Sequence, residues 1–74
     1  MDKLRKNIKF LRKAAGITQA ELAEQIGCTT QFVGLIETGK RRPGLSLLLR
    51  ICDFFEVSID DIIKKEVSSE AFFS

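Results

Sequence analysis

The sequence predicts an all-α fold, a compact five-helix bundle, and three observations carry that reading. Apolar residues recur three and four positions apart along the chain, and no segment alternates in the manner of a strand. The periodic runs are punctuated by threonines and serines suited to start helices and by glycines suited to stop them. Apolar residues make up 45% of the 74 positions, enough for one core in a chain near the lower size limit of a self-supporting domain.

Each element follows from its own residues. Leu4, Ile8, Leu11 and Ala15 form one stripe of a first amphipathic helix ringed by lysine and arginine, and Gly16 is placed to end it as a left-handed cap. Thr18 before Gln19-Ala20-Glu21 is a capping box that opens a second helix, with Leu22 and Ile26 inside and Gly27 as its stop. Thr29 is the next N-cap; Val33 and Ile36 face inward from a third helix, which Gly39 closes. Lys40-Arg41-Arg42-Pro43-Gly44 reads as a basic, helix-breaking loop.

The spacing of Leu45, Leu48, Leu49, Cys52 and Phe55 predicts the inner face of a fourth helix, with Leu47, Ile51 and Phe54 as a second apolar stripe. Ser58-Ile59-Asp60-Asp61 starts a short fifth helix carrying Ile62 and Ile63, its two aspartates favourable near the positive end of the dipole. Paired carboxylates can serve acid–base chemistry, but at this position they read as capping. The domain is expected to span residues 1–65. Residues 66–74 form a tail without periodicity, its Phe72 and Phe73 offering surface to a dimer.

Composition removes several function classes. Cys28 and Cys52 stand far apart and the chain has no histidine, which excludes a Cys/His zinc site and any histidine-based triad or relay. No Gly-rich phosphate loop and no nucleophile beside a base is present, so an enzyme, a metal and a cofactor are not expected. The cysteines read as small buried hydrophobes of a reducing compartment. The N-terminus leads into no apolar h-region, and no apolar run approaches the ~20 residues of a membrane span, so a soluble cytoplasmic protein is expected.

The net charge of +2 is unevenly distributed. Residues 1–13 hold six lysines and arginines against Asp2, and residues 40–50 hold four against no acid. Residues 51–74 hold six acids against Lys64 and Lys65. A basic front and an acidic back suit a polyanion bound on one side.

The stretch that carries function is residues 19–38. Two short helices crossing near a right angle need a small side chain at closest approach, which Ala23 supplies, and a turn residue tolerant of positive φ, which Gly27 supplies four positions later. Leu22, Ile26, Cys28, Val33 and Ile36 provide the inward apolar positions, and no proline interrupts. These features agree on a helix-turn-helix at helices two and three.

Over residues 4 to 63 the sequence resembles the lambda-repressor-like, Cro/C1-type (XRE) helix-turn-helix proteins. The resemblance runs through Ile8-x-x-Leu11-Arg12, Gly16-Ile17-Thr18-Gln19-x-x-Leu22-Ala23, Ile26-Gly27-Cys28-Thr29, Ile36-Glu37-x-Gly39-Lys40-x-x-Pro43, Leu48-x-x-Ile51-Cys52 and Phe55-x-Val57-Ser58-x-Asp60-x-Ile62. It implies a transcriptional regulator whose third helix enters the major groove of double-stranded DNA, usually as a homodimer on a palindromic operator. The chain departs from that pattern at Gly34, where relatives carry a polar or bulky residue, at Phe32 and Leu35, often polar in relatives, and at Leu47 and Phe54 on helix four.

In that docking mode Thr30 and Gln31, in the first turn of helix three, meet base edges, and Gln31 can donate and accept at an adenine. Leu35, one turn on, can press on a thymine methyl or complete local packing. Phe32 can shield the basic loop or touch DNA. The resemblance assigns Gln19 and Thr29, at helix N-termini, to phosphate contact, which for Thr29 is compatible with N-capping. Lys40, Arg41 and Arg42 would hold the backbone without reading sequence. Arg12 and Glu37 match a pair that bridges helices one and three in similar proteins, the alternative being an Arg12 that contacts only phosphate. Leu47, Phe54, Ile63, Phe72 and Phe73 are the candidates for a dimer interface, unless Leu47 and Phe54 complete the core of a monomer. The competing reading of the whole chain is a protein-interaction module, such as an antitoxin or an oligomerising regulatory subunit.

Overall fold

Five helices form close to where the caps and the apolar spacing put them. The structure, a computed structural model, describes residues 2–65: α1 (Asp2–Ala14), α2 (Gln19–Ile26), α3 (Thr30–Glu37), α4 (Leu45–Phe55) and α5 (Ile59–Lys64). The tail, with Phe72 and Phe73, lies outside the described residues.

The short helices depend on their ends, because an eight-residue helix leaves half its backbone groups without intrahelical partners. Thr18 Oγ1 accepts from the Glu21 N–H at 3.0 Å, and Glu21 Oε1 accepts from the Thr18 N–H at 2.9 Å, a complete capping box for α2. Gly27 terminates α2 at φ 77° and donates to the Ala23 carbonyl at 2.9 Å. Thr29 caps α3 through Phe32 N–H at 3.1 Å, and Ser58 caps α5 through Asp61 N–H at 3.0 Å. The stop of α4 carries no glycine: Glu56 takes the left-handed conformation at φ 56°, at a cost of about 1 kcal/mol.

The core draws on all five helices: Leu4, Ile8 and Leu11; Leu22, Ala23 and Ile26; Val33 and Ile36; Leu48, Ile51 and Cys52; and Ile62. Each leucine or isoleucine so enclosed contributes about 1.5–3 kcal/mol relative to exposure. The largest packed pairs are α2 on α3 and α1 on α5.

Three expectations are corrected. On α4 the inward residues are Leu48, Ile51 and Cys52, whereas Leu45 and Leu49 are 68% and 46% exposed. Ser46, Arg50 and Asp53 line one face of the helix, so its inward side lies opposite, at Leu48, Ile51 and Cys52, where it packs on α2 and α5. Ala15 falls beyond the end of α1 and is exposed. Cys28 is only half-buried, while Cys52 is buried; both thiols are free, and burial pushes both above the ordinary range, with Asp53 adding to the rise at Cys52.

A polar residue closes the bundle. Asn7 is buried on α1, and its Nδ2 donates to the carbonyls of Ile62 at 2.6 Å and Lys65 at 2.9 Å, satisfying the C-terminal end of α5. Among the described residues no helix is long and apolar enough to cross a membrane, and no cluster of metal-ligating side chains occurs.

Candidate nucleic-acid interface

The α2–α3 pair is joined by a tight turn in which the Gly27 and Cys28 N–H groups both donate to the Ala23 carbonyl. Arg50 of α4 braces that turn, with Nη1 3.4 Å from the Ile26 carbonyl and close enough to Gly27 that a Cβ there would sit 3.2 Å from it. Sequence reasoning did not assign Arg50 a role.

At its C-terminal end α3 is held by charge. Arg12 Nε donates to Glu37 Oε2 at 2.7 Å and Nη2 to Glu37 Oε1 at 3.1 Å, a bidentate pair with the residues 9% and 4% exposed. Arg12 Nη1 also donates to the Ile17 carbonyl at 2.9 Å. The hydrogen bonds that Arg12 donates to Glu37 raise the Arg12 pKa further, against the opposing effect of burial. Gln19 completes the group: its Nε2 donates to Glu37 Oε1 at 3.1 Å. One carboxylate therefore fastens the end of α1, the start of α2 and the end of α3 together. Gly34 lies under the Gln19 amide, and a Cβ built there would be 3.7 Å from Gln19 Oε1. The glycine that departs from the family pattern thus sits where the Gln19 side chain crosses α3.

The opposite end of α3 is open. Thr30 and Gln31 are exposed, Leu35 and Phe32 are half-buried, and Phe32 packs against the core. Thr29 is exposed, with its hydroxyl engaged by the Phe32 N–H. Lys40, Arg41 and Arg42 stand exposed on the loop after α3, and the N–H groups of Lys40 and Arg41 both donate to the Leu35 carbonyl, at 3.0 and 3.2 Å. The loop is thereby tied to the helix it follows.

The dimer candidates are dispersed. Leu47 and Ile63 are half-buried against the core; Phe54 is 37% exposed, its ring edge-on to Phe55 at 5.0 Å, beside Ile17, Glu21 and Glu24. The exposed Leu45 and Leu49, one turn apart, form another apolar margin of α4.

A helix-turn-helix family model matches residues 8–62. An uncharacterised HTH-type transcriptional regulator of Methanocaldococcus jannaschii is 37% identical over 59 residues, covering 80% of this chain and 89% of that protein. The cryptic phage CTXphi transcriptional repressor RstR of Vibrio cholerae is 31% identical over 68 residues, covering 92% of this chain and 61% of that repressor. Among solved structures, the P22 c2 repressor in complex with a synthetic operator superposes with a TM-score of 0.80 at 24% identity, covering 85% of this chain and 96% of that one, a likeness of fold.

Proposed function

The chain belongs to the helix-turn-helix family of transcriptional regulators, and from that premise we propose that α3 reads base edges in the major groove of double-stranded DNA, in the cytoplasm, as one half of a homodimer on a palindromic operator. The observation that carries the proposal is the asymmetry of α3: Glu37 is locked between Arg12 and Gln19, while Thr30 and Gln31 are exposed at the other end, and three exposed cations follow the helix. Gln31 offers the donor–acceptor pair that suits adenine N6 and N7, and Leu35 an apolar edge for a thymine methyl. Lys40, Arg41 and Arg42, with Thr29 at the start of α3, hold phosphates. Gln19 would meet a phosphate while bonded to Glu37, linking backbone contact to the orientation of α3. Leu47, Phe54 and Ile63 would contribute to the two-fold contact, which sets two α3 helices about 34–36 Å apart.

Selection of bound sites from a random DNA pool tests this directly. Enriched sites should carry two-fold related halves centred one helical turn apart. Gln31→Ala should lose about 1–3 kcal/mol at one base pair per half-site and flatten preference there. Lys40→Ala should weaken all sequences alike and lower the salt slope by about one. If both substitutions act alike on every sequence, α3 is not the reading helix.

A further inference from the structure

Helix α2 has no lysine or arginine in its last turn, where the unpaired carbonyls carry the negative end of the helix dipole. The cation at that end comes from another helix. Arg50 of α4 donates from Nη1 to the Ile26 carbonyl at 3.4 Å, 24 residues back along the chain. The bond is long, and its worth lies in where the guanidinium sits. Gly27, left-handed at φ 77°, has no Cβ, and one built there would fall 3.2 Å from Arg50 Nη1. Glycine therefore serves twice at this position, once for the backbone and once to let Arg50 lie against the turn. The neighbours of Arg50 on α4 give the contact its consequence. Leu47 lies three residues before it and Phe54 four after, so the three share one side of the helix. Phe54 also lies beside Glu21 and Glu24 of α2.

We propose that Arg50 is a positioning residue: it ties the turn between α2 and α3 to the side of α4 that carries Leu47 and Phe54, and so sets the separation and twist of the two reading helices in a dimer. This rests on the proposed two-fold contact and names the residue that makes half-site spacing selective. The physical need comes from DNA geometry. One base pair inserted between half-sites moves one of them about 3.4 Å along the axis and about 35° around it. Discrimination on that scale requires that α3 not pivot on the face that joins the copies. Glu37 fastens α3 to Arg12 of α1 and Gln19 of α2, a group that includes no residue of α4. Arg50 supplies a polar link from that unit to α4.

The test compares the full chain with Arg50→Met, which keeps an apolar stem and removes the donor, on three DNAs. These are the selected two-fold site, the same site with one base pair inserted between its halves, and a single half-site. Arg50 is exposed, so the variant should stay folded, which urea unfolding checks; Arg50→Gln, with a shorter stem, serves if it does not. The wild type should bind the lengthened site about tenfold or more weakly than the selected one, and Arg50→Met less than about threefold more weakly. Affinity for the single half-site should stay within about twofold of wild type, and the salt slope should not change. A spacing preference kept in Arg50→Met overturns the inference and leaves the two-fold reading intact. A salt slope lowered by about one, with all three DNAs weakened alike, overturns it in favour of a phosphate contact. Equal weakening at an unchanged slope overturns it as well, since Arg50 would then support only the fold. A wild type indifferent to spacing sinks the two-fold reading, and this inference with it.

Discussion

The two ends of α3 are held by opposite means. At the C-terminal end, Glu37 is buried and receives two hydrogen bonds from Arg12 and one from Gln19, so its position is set by elements on either side. At the N-terminal end, Thr30 and Gln31 are exposed, and the side-chain bond there is local, the Thr29 hydroxyl accepting from the Phe32 N–H. The comparison teaches how a helix of eight residues, too short to be stable alone, can offer side chains at a defined angle. The locked end supplies orientation, and the open end supplies groups with unsatisfied hydrogen-bonding capacity. A buried ion pair is a poor source of net stability, because desolvation opposes it, yet the loss of one partner strands a charge. Its value here is directional.

Three substitutions along α3 would break or sharpen this contrast. The largest effect is expected at the locked end: Glu37→Gln leaves Arg12 buried without its counter-charge and should lower stability by about 3 kcal/mol. Urea unfolding measures it, and a loss below about 1 kcal/mol would mean that the lock does not hold the helix. At the open end, Thr29→Ala removes only the cap to Phe32 and should lower stability by about 1 kcal/mol. Amide exchange should then accelerate at Phe32 and leave Thr38 unchanged; acceleration at both would show that the two ends are not independent. Between them, Gly34→Ala should raise the melting temperature, by about 0.5–1 kcal/mol of helix propensity, since a Cβ meets only the Gln19 amide at ordinary contact distance. A fall instead would mean that the methyl displaces Gln19 from Glu37, and that the lock extends to the middle of α3.

Much of this arrangement is legible in the residues themselves. The five helices, the Thr18–Glu21 box and the positive φ at Gly27 all follow from local rules, and those elements obey them because their packing agrees with their propensities. The rest was hidden for identifiable reasons. Asn7 sits among lysines and reads as one more solvated polar residue; only the spent end of α5, distant in sequence, explains its burial. Leu45 and Leu49 turn outward and Ile51 inward, as the polar face of Ser46, Arg50 and Asp53 requires and the spacing of the apolar residues alone does not show. In the candidate site, the basic loop and the exposed start of α3 were readable from composition and caps. The bond from Gln19 to Glu37 was not, because an amide has no charge to announce its partner. Gly34 was the one visible sign, a gap in α3 that the Gln19 side chain crosses. Arg50 was counted only as part of a basic segment, since nothing local relates α4 to a carbonyl 24 residues away.

The amide of Asn7 also bears on how the molecule is made. Its two acceptors lie 55 and 58 residues further along the chain, against 25 for the Arg12–Glu37 pair. Closing the longer loop costs about 0.7 kcal/mol more in chain entropy. On a ribosome, synthesising about 5–20 residues per second, α1 therefore waits roughly 3–12 s after Asn7 is added before the last acceptor exists. Over that interval α2 and α3 can already pair through neighbouring sequence, and Arg12 can already find Glu37. The partners of the Arg12–Glu37 pair are thus both present well before the last acceptor of Asn7.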